Sequence, residues 1–258
     1  MKQIKIDKIS HSMSNNTGLR IASANDVSKS QFTLSVVIAS KNEELGIGDC
    51  LNKIFTVYQR HDIDGEVVVA DNSTDDTSKI AKKYGARVVV PDKLGYGHAL
   101  VFGINNAKGK YVIIGDADDT YDFSDIPSLL EPLMKGHAEM VIGSRYKGKI
   151  MKDSMPWLHQ YVGNPLLTWG LNLRLGTKVT DAHSGIRSFT RESWEAIDTT
   201  KIPEDFCSEL LKQMVRNKAV IIEVPVAYHP RKGTIKAGTL LHGWRCFKFL
   251  ILNIFLSR

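Results

Sequence analysis

Four carboxylates crowd into seven positions of the segment Tyr111-Val-Ile-Ile-Gly-Asp-Ala-Asp-Asp-Thr-Tyr-Asp122: Asp116, Asp118, Asp119 and Asp122. Like charges this close repel one another, and a cation among them relieves the repulsion. Asp116 and Asp118 are two apart, so in an extended segment they point the same way, with Cα atoms roughly 6–7 Å apart. That spacing suits one hard divalent ion held by oxygen, with positions left open for a substrate phosphate. A solvated acidic turn capping the next helix stays open as a simpler reading. A calcium loop fails on spacing, because the sixth position is Tyr121 rather than Gly and the twelfth is Pro127 rather than Glu. A Walker B strand fails too, since nothing in the chain reads G-x-x-x-x-G-K-[ST]. A strand-end Mg²⁺ or Mn²⁺ site for a diphosphate survives best.

Presenting such a site takes a rigid strand, and Tyr111–Ile114 is a short apolar, β-branched run of the kind buried in sheets. Other strands are expected at Leu34–Ala39, Glu66–Ala70, Arg87–Val90, Glu139–Gly143, Ile186–Thr190 and Ala219–Val224. Between them, helical spacing runs through Leu51, Ile54, Phe55 and Tyr58, and again from Gly95 to Ala107, 126 to 135 and 206 to 217. After Asp71, Ser73 or Thr74 is expected to cap a helix that Gly85 stops. Strands alternating with helices predict an α/β fold with a mainly parallel sheet and helices on both faces. In such sheets ligands bind beyond the carboxyl ends of the strands. Asn42, Glu43, Asp71, Asp116, Asp118 and Arg145 all fall at those ends.

The second half reads differently. Met155–His159 and Leu166–Leu175 form an apolar insertion, Asp181–Arg187 a polar loop, and 225–236 a basic loop with Arg231, Lys232 and Lys236. In the tail, Trp244, Phe247, Leu250, Ile251, Ile254 and Phe255 repeat at helical spacing beside Arg245 and Lys248. This stripe suits either packing on the core or lying in a membrane interface, and it is too short to cross a bilayer. Residues 1–30 read as a weakly ordered arm without the apolar stretch of a signal peptide. The 258 residues carry a formal charge of +6, which favours anionic partners. Cys50, Cys207 and Cys246 match no metal or disulfide spacing and fit a reducing compartment.

Taken in order, these motifs resemble the GT-A glycosyltransferases of family 2 over roughly residues 33–236. Ile38-Ala-Ser-Lys-Asn-Glu-Glu44 resembles the family's opening Pro-x-Tyr-Asn-Glu-Glu segment, and Val69-Ala-Asp-Asn-Ser-Thr-Asp-Asp-Thr77 its Val-Asp-Asp-Gly-Ser-x-Asp-Gly-Thr segment. Gly115-Asp-Ala-Asp118 matches the metal-binding D-x-D. With Gly143-Ser-Arg145, Ser184-Gly-Ile-Arg187 and Glu223-Val-Pro-Val-Ala-Tyr-His-Pro-Arg231, the set is similar to archaeal and bacterial polyprenyl-phosphate sugar synthases. Departures are Lys41 for Tyr, Ala70 for the first Asp of a pair, Tyr96 for a common Lys, and Gly185 where some relatives carry Asp or Ser.

The resemblance implies a GT-A domain over 31–239, followed by an amphipathic helix over 240–258. Glu43 and Asp71 would hold the nucleoside, Asp71 accepting from the base, with Ser40, Gly95, Asp116 and Ala117 along the same nucleotide-sugar site. Asp116 and Asp118 would bind Mg²⁺ or Mn²⁺. Arg145 and Arg187 would be essential and meet phosphates, and Asp181 is a candidate base. Arg187, Arg231, Lys232 and Lys236 would meet the acceptor phosphate or lipid headgroups. The implied partners are a UDP- or GDP-sugar, with UDP-glucose or UDP-N-acetylglucosamine favoured, a polyprenyl or dolichyl phosphate, and the cytoplasmic face of a membrane. Rival readings are a soluble family 2 transferase and a sugar nucleotidyltransferase. The latter lacks its Gly-rich basic loop after the first strand, where Ser40-Lys-Asn-Glu stands. Nucleic acid is disfavoured, because the acidic strand ends would repel its backbone.

Overall fold

The computed structural model describes residues 32–202 and 205–233. The expected N-terminal arm, Lys236 and the amphipathic tail lie outside the described residues. Seven strands are present: β1 (Phe32–Ser40), β2 (Gly65–Asp71), β3 (Arg87–Val89), β4 (Gly109–Asp116), β5 (Met140–Ile150), β6 (Arg187–Thr190) and β7 (Ile221–Tyr228). They form one sheet in the order β3-β2-β1-β4-β6-β5-β7. β6 runs antiparallel to β4 and β5, and the remaining pairs are parallel. The mainly parallel sheet expected from the sequence is therefore present, with one reversed strand.

Alternate side chains of β1 divide between two cores, as the two-residue period of a strand requires. Leu34, Val36 and Ile38 pack on one face with α1 (Ile47–Arg60), α2 (Thr77–Lys83) and α4 (Ile126–Met134). Val37 and Ala39 pack on the other with α3 (Tyr96–Asn106), α5 (Asn164–Leu175), α6 (Arg191–Glu195) and α7 (Phe206–Arg216). Burying both faces makes β1 and β4 apolar along most of their length, which is why both were conspicuous in the sequence.

Two local expectations are corrected. Neither Ser73 nor Thr74 caps α2. That helix begins at Thr77, Ser73 turns back to Asp71, and the Thr74 amide donates to Asn42 Oδ1 at 2.9 Å. β7 does not stop at Val224 but continues through Pro225, which pairs with Ser144. A proline is tolerated there because β7 is an edge strand.

The reversed β6 shapes the edge of the sheet where the parallel strands end. Because it runs backwards, its first residue and the preceding loop, 181–186, lie beside the carboxyl ends of β4 and β5 rather than at the opposite edge.

Gly109 lets β4 start against β1: a Cβ there would lie 2.4 Å from Ser35 N and 2.6 Å from Leu34 C, both backbone. Gly109→Ala is expected to lower stability by about 1–3 kcal/mol, read as a lower urea midpoint with unchanged slope.

Candidate active site

Segments from across the chain converge beyond the strand ends. β1 ends at Ser40, which lies opposite Asp71 at the end of β2, while Ala39 lies opposite Asp116 at the end of β4. The Asp71 carboxylate accepts from the Ser73 amide and hydroxyl and from the Ser78 hydroxyl, and is 2% exposed. These bonds hold it as a fixed acceptor. The Ser40 hydroxyl is buried with no hydrogen-bond partner among the described residues, the condition of a group kept for a ligand. Glu43 is buried after the turn, where its amide donates to Thr77 Oγ1 at 2.9 Å. Gly95 precedes α3 at φ +133°, a conformation that favours glycine.

The acidic stretch is built as an ordered turn. Asp118 Oδ1 accepts from the Thr120 amide and hydroxyl at 3.2 and 2.6 Å. Asp119, at φ +61°, pairs with Lys53 at 2.7 Å and Lys232 at 2.9 Å. Asp122 Oδ1 accepts from the Ser124 amide at 3.0 Å. The simple acidic-turn reading thus accounts for Asp119 and Asp122, and leaves Asp116 and Asp118 for other work.

Asp116 Oδ1 accepts from the Tyr96 hydroxyl at 2.9 Å. Its Oδ2 faces Gly185, where a Cβ would lie only 2.6 Å away. Desolvation in the cleft, and after it the charge of Asp118, push the Asp116 carboxyl up to about 7. Arg231 supplies positive charge to this cluster: Nη1 donates to Asp118 Oδ2 at 2.9 Å and Nη2 pairs with Glu43. Lys232 extends the contact to Asp49 and Asp119. Two neighbouring carboxylates, one raised and one paired with a guanidinium, make a donor set that fits a hard divalent cation. Among the described residues no group of three or more ligating side chains converges. Such an ion would therefore take two carboxylates from the chain and its remaining oxygens from diphosphate and water.

Arg145 and Asp181 form the other half of the site. The Arg145 amide, Nε and Nη2 reach the Asp181 carboxylate at 3.0, 2.7 and 2.7 Å, with both side chains buried. Burial works to raise the Asp181 carboxyl, but the bonds and charge of Arg145 outweigh it and hold it below the usual carboxylate range. The guanidinium lies 5.2 Å from the Tyr228 ring centre, and Tyr228 meets Tyr121 edge-on. Tyr121 in turn accepts from the Gly185 amide at 2.7 Å. Two tyrosines therefore separate the acidic pair from the arginine pair.

Two expectations are overturned by this geometry. Asp181 is not a base for a substrate proton, because it is fully buried and both oxygens are bound by Arg145. Arg187 meets no phosphate: it is 0% exposed, and its nitrogens donate to the carbonyls of Ser184, Ala182 and Cys207. It is the internal brace of the 182–187 turn. The Ala117 side chain packs in the core, so that only its backbone is left to the site, and Gly46 approaches its carbonyl too closely to carry a Cβ. Sequence reading missed Tyr96 as a partner of Asp116 and the spacing role of Tyr121 and Tyr228. Its signal in the sequence is the Tyr between Gly95 and Gly97, where a Lys is common.

The sheet order and the carboxylate pair at its edge define a GT-A glycosyltransferase. Residues 35–197 match the profile of glycosyl transferase family 2, and the chain belongs to that family. The low-salt glycan biosynthesis hexosyltransferase Agl6 of Haloferax volcanii is 44% identical over 86% of this chain, which spans about half (54%) of that relative's length. The dolichyl-phosphate hexose transferase of the same organism is 33% identical over 81% of this chain and 89% of its own. Glucosyl-3-phosphoglycerate synthase of Mycobacterium tuberculosis, solved with phosphoglyceric acid, shares the fold at a TM-score of 0.70 and 24% identity, over 88% of this chain and 82% of that one.

Arg187→Ala should destabilise the protein by about 3–5 kcal/mol, because it strands buried carbonyls. The folded fraction should keep its affinity for nucleotide diphosphate within about twofold, as calorimetry would show. A selective loss of nucleotide binding at unchanged stability would return Arg187 to the phosphate site.

Proposed function

We propose that this glycosyltransferase moves a hexose from a nucleotide-diphosphate sugar to a polyprenyl or dolichyl phosphate with inversion, using Mg²⁺ or Mn²⁺ at Asp116 and Asp118. UDP-glucose and UDP-N-acetylglucosamine are the favoured donors. The observation that carries the reading is the meeting of the Asp116–Asp118 pair with Arg231 at one strand edge. The dolichyl-phosphate hexose transferase among its relatives supports the acceptor class.

Bound at the two carboxylates, a divalent ion would act as a Lewis acid toward the charge that builds on the departing diphosphate. Asp71 and the Ser40 hydroxyl would hold the nucleoside, since both are fixed at neighbouring strand ends. Arg231 would give its guanidinium to the diphosphate, exchanging carboxylate partners for phosphate oxygens of like geometry. An acceptor phosphate monoester, with a second pKa near roughly 6, is already largely anionic at neutral pH. It attacks without losing a proton to the protein, so the engagement of Asp181 by Arg145 costs the reaction nothing. The chain's task is placement: the acceptor oxygen must face the anomeric carbon opposite the leaving diphosphate. A place on the cytoplasmic membrane face follows from a lipid acceptor.

The test is a donor screen on the purified full chain with Mn²⁺ or Mg²⁺, a short polyprenyl phosphate, and UDP- and GDP-sugars, read by mass spectrometry of glycolipid. Metal-dependent transfer from a UDP-hexose is expected. Glycosylation of soluble acceptors alone would overturn the lipid assignment. Asp118→Asn should lower kcat/KM at least a hundredfold, about 2.7 kcal/mol of transition-state stabilisation, with the fold retained by circular dichroism. A retained rate would remove Asp118 from the metal site. Arg231→Gln should cost about ten- to a hundredfold in the same assay while leaving the sheet intact by circular dichroism.

A further inference from the structure

The first residue of α3 reaches a carboxylate at the end of β4. Gly103 lets this helix approach the sheet, since a Cβ there would lie 2.6 Å from Val37 Cγ1 and 3.2 Å from Ala70 Cβ. Leu100 and Ile104 are buried in the same core. Gly95, at φ +133°, turns the chain into the helix, and Tyr96 follows it at the strand ends. Tyr96 is 43% exposed, while its hydroxyl donates to Asp116 Oδ1 at 2.9 Å.

The two carboxylates of the site are thus held by different means. Asp118 Oδ2 pairs with the charged guanidinium of Arg231 at 2.9 Å, and its Oδ1 accepts from Thr120. Asp116 accepts from a neutral hydroxyl. Such a donor fixes the orientation of a carboxylate and cancels none of its charge, and it fills one of about four lone-pair positions. A Lys at position 96 would set an ammonium beside the same carboxylate. The ammonium and a divalent ion would then compete for one negative charge and repel each other.

We infer that Tyr96 is a positioning residue for the divalent ion: it orients Asp116 with its charge left whole, so that Asp116 is the ion's first anchor. Asp118 can follow only as Arg231 gives it up. The donor feels the same choice of residue. With no ammonium at position 96, the charge of Asp116 opposes a diphosphate until a cation bridges the two. Tyr96 therefore makes diphosphate binding conditional on the metal. This role rests on the assignment of a metal to Asp116 and Asp118, and adds which of the two carries the affinity.

The test is a pair of titrations on the full chain without sugar or acceptor, at about pH 8, above the range in which Asp116 titrates. Mn²⁺ binding is followed by the electron paramagnetic resonance of the free ion, and UDP binding by calorimetry in EDTA. Tyr96→Phe keeps the ring and removes the hydroxyl. It should weaken Mn²⁺ binding about three- to tenfold, the worth of one hydrogen bond, and leave UDP binding in EDTA unchanged. Tyr96→Lys should weaken Mn²⁺ binding roughly thirtyfold or more. The same variant should tighten UDP binding in EDTA roughly threefold. Opposite signs for the two ligands are the signature, since a damaged site loses both.

Equal Mn²⁺ affinity in the wild type and both variants would overturn the inference. Loss of both ligands in Tyr96→Lys, with Tyr96→Phe like the wild type, would make Tyr96 a packing residue and overturn it too. If Tyr96→Lys does not fold, Tyr96→Phe decides alone, and an unchanged Mn²⁺ affinity there is fatal. Each of these failures leaves the metal at Asp116 and Asp118 standing, because the wild type still binds the ion. A wild type that binds no Mn²⁺, alone or with UDP, would remove the metal assignment and this role together.

Discussion

The constraint on which the rest of the structure depends is negative charge gathered at the end of β4. The sheet delivers Asp116 and Asp118 to one place, and a fold cannot hold them close without compensation. Each neighbouring element answers part of that demand. Tyr96 donates to one oxygen of Asp116, Thr120 fixes Asp118, and Lys53 and Lys232 neutralise Asp119. Arg231 spans Asp118 and Glu43, so the segment after β7 is held down by the negative charge gathered at the end of β4. The excess of acid and the order of the segments around it have one electrostatic origin.

Two arginines of the same type illustrate how burial decides role. Arg231 stands at the cleft, partly exposed, with the carboxylates of Glu43 and Asp118 as partners. Arg187 lies wholly inside, and its guanidinium serves three backbone carbonyls. Arg145 is intermediate, because its partner Asp181 is charged but unreachable by solvent. Charge alone places all three near phosphates. The route of the backbone separates them.

Much of this was legible in the sequence, and for physical reasons. Strands buried on both faces must be apolar throughout, so β1, β2 and β4 announced themselves, and acids placed directly after them could only lie at the sheet edge. The reversal of β6 was not legible, since four residues carry no mark of direction and the insertion before them hides the path. The role of Arg187 was hidden for the same reason: its carbonyl partners belong to Ala182, Ser184 and Cys207, and backbone acceptors leave no trace in residue type. Nor could the failure of Ser73 to cap α2 be read, because its partner Asp71 is a neighbour with a competing claim on the hydroxyl.

The Arg145–Asp181 pair also has a meaning for the chain between its members. It pins both ends of an excursion that leaves β5 and returns before β6, so the rest of the sheet does not sense the length of that excursion. The entropy of closing such a loop grows only logarithmically, at about 0.6 kcal/mol for each doubling. Changes of length between the end of β5 at Ile150 and the helical turn that begins at His159 are therefore cheap, while the paired part of β5 and the core-facing side of α5 stay fixed. The clasp makes that connection a place where length can vary without moving the strands on either side.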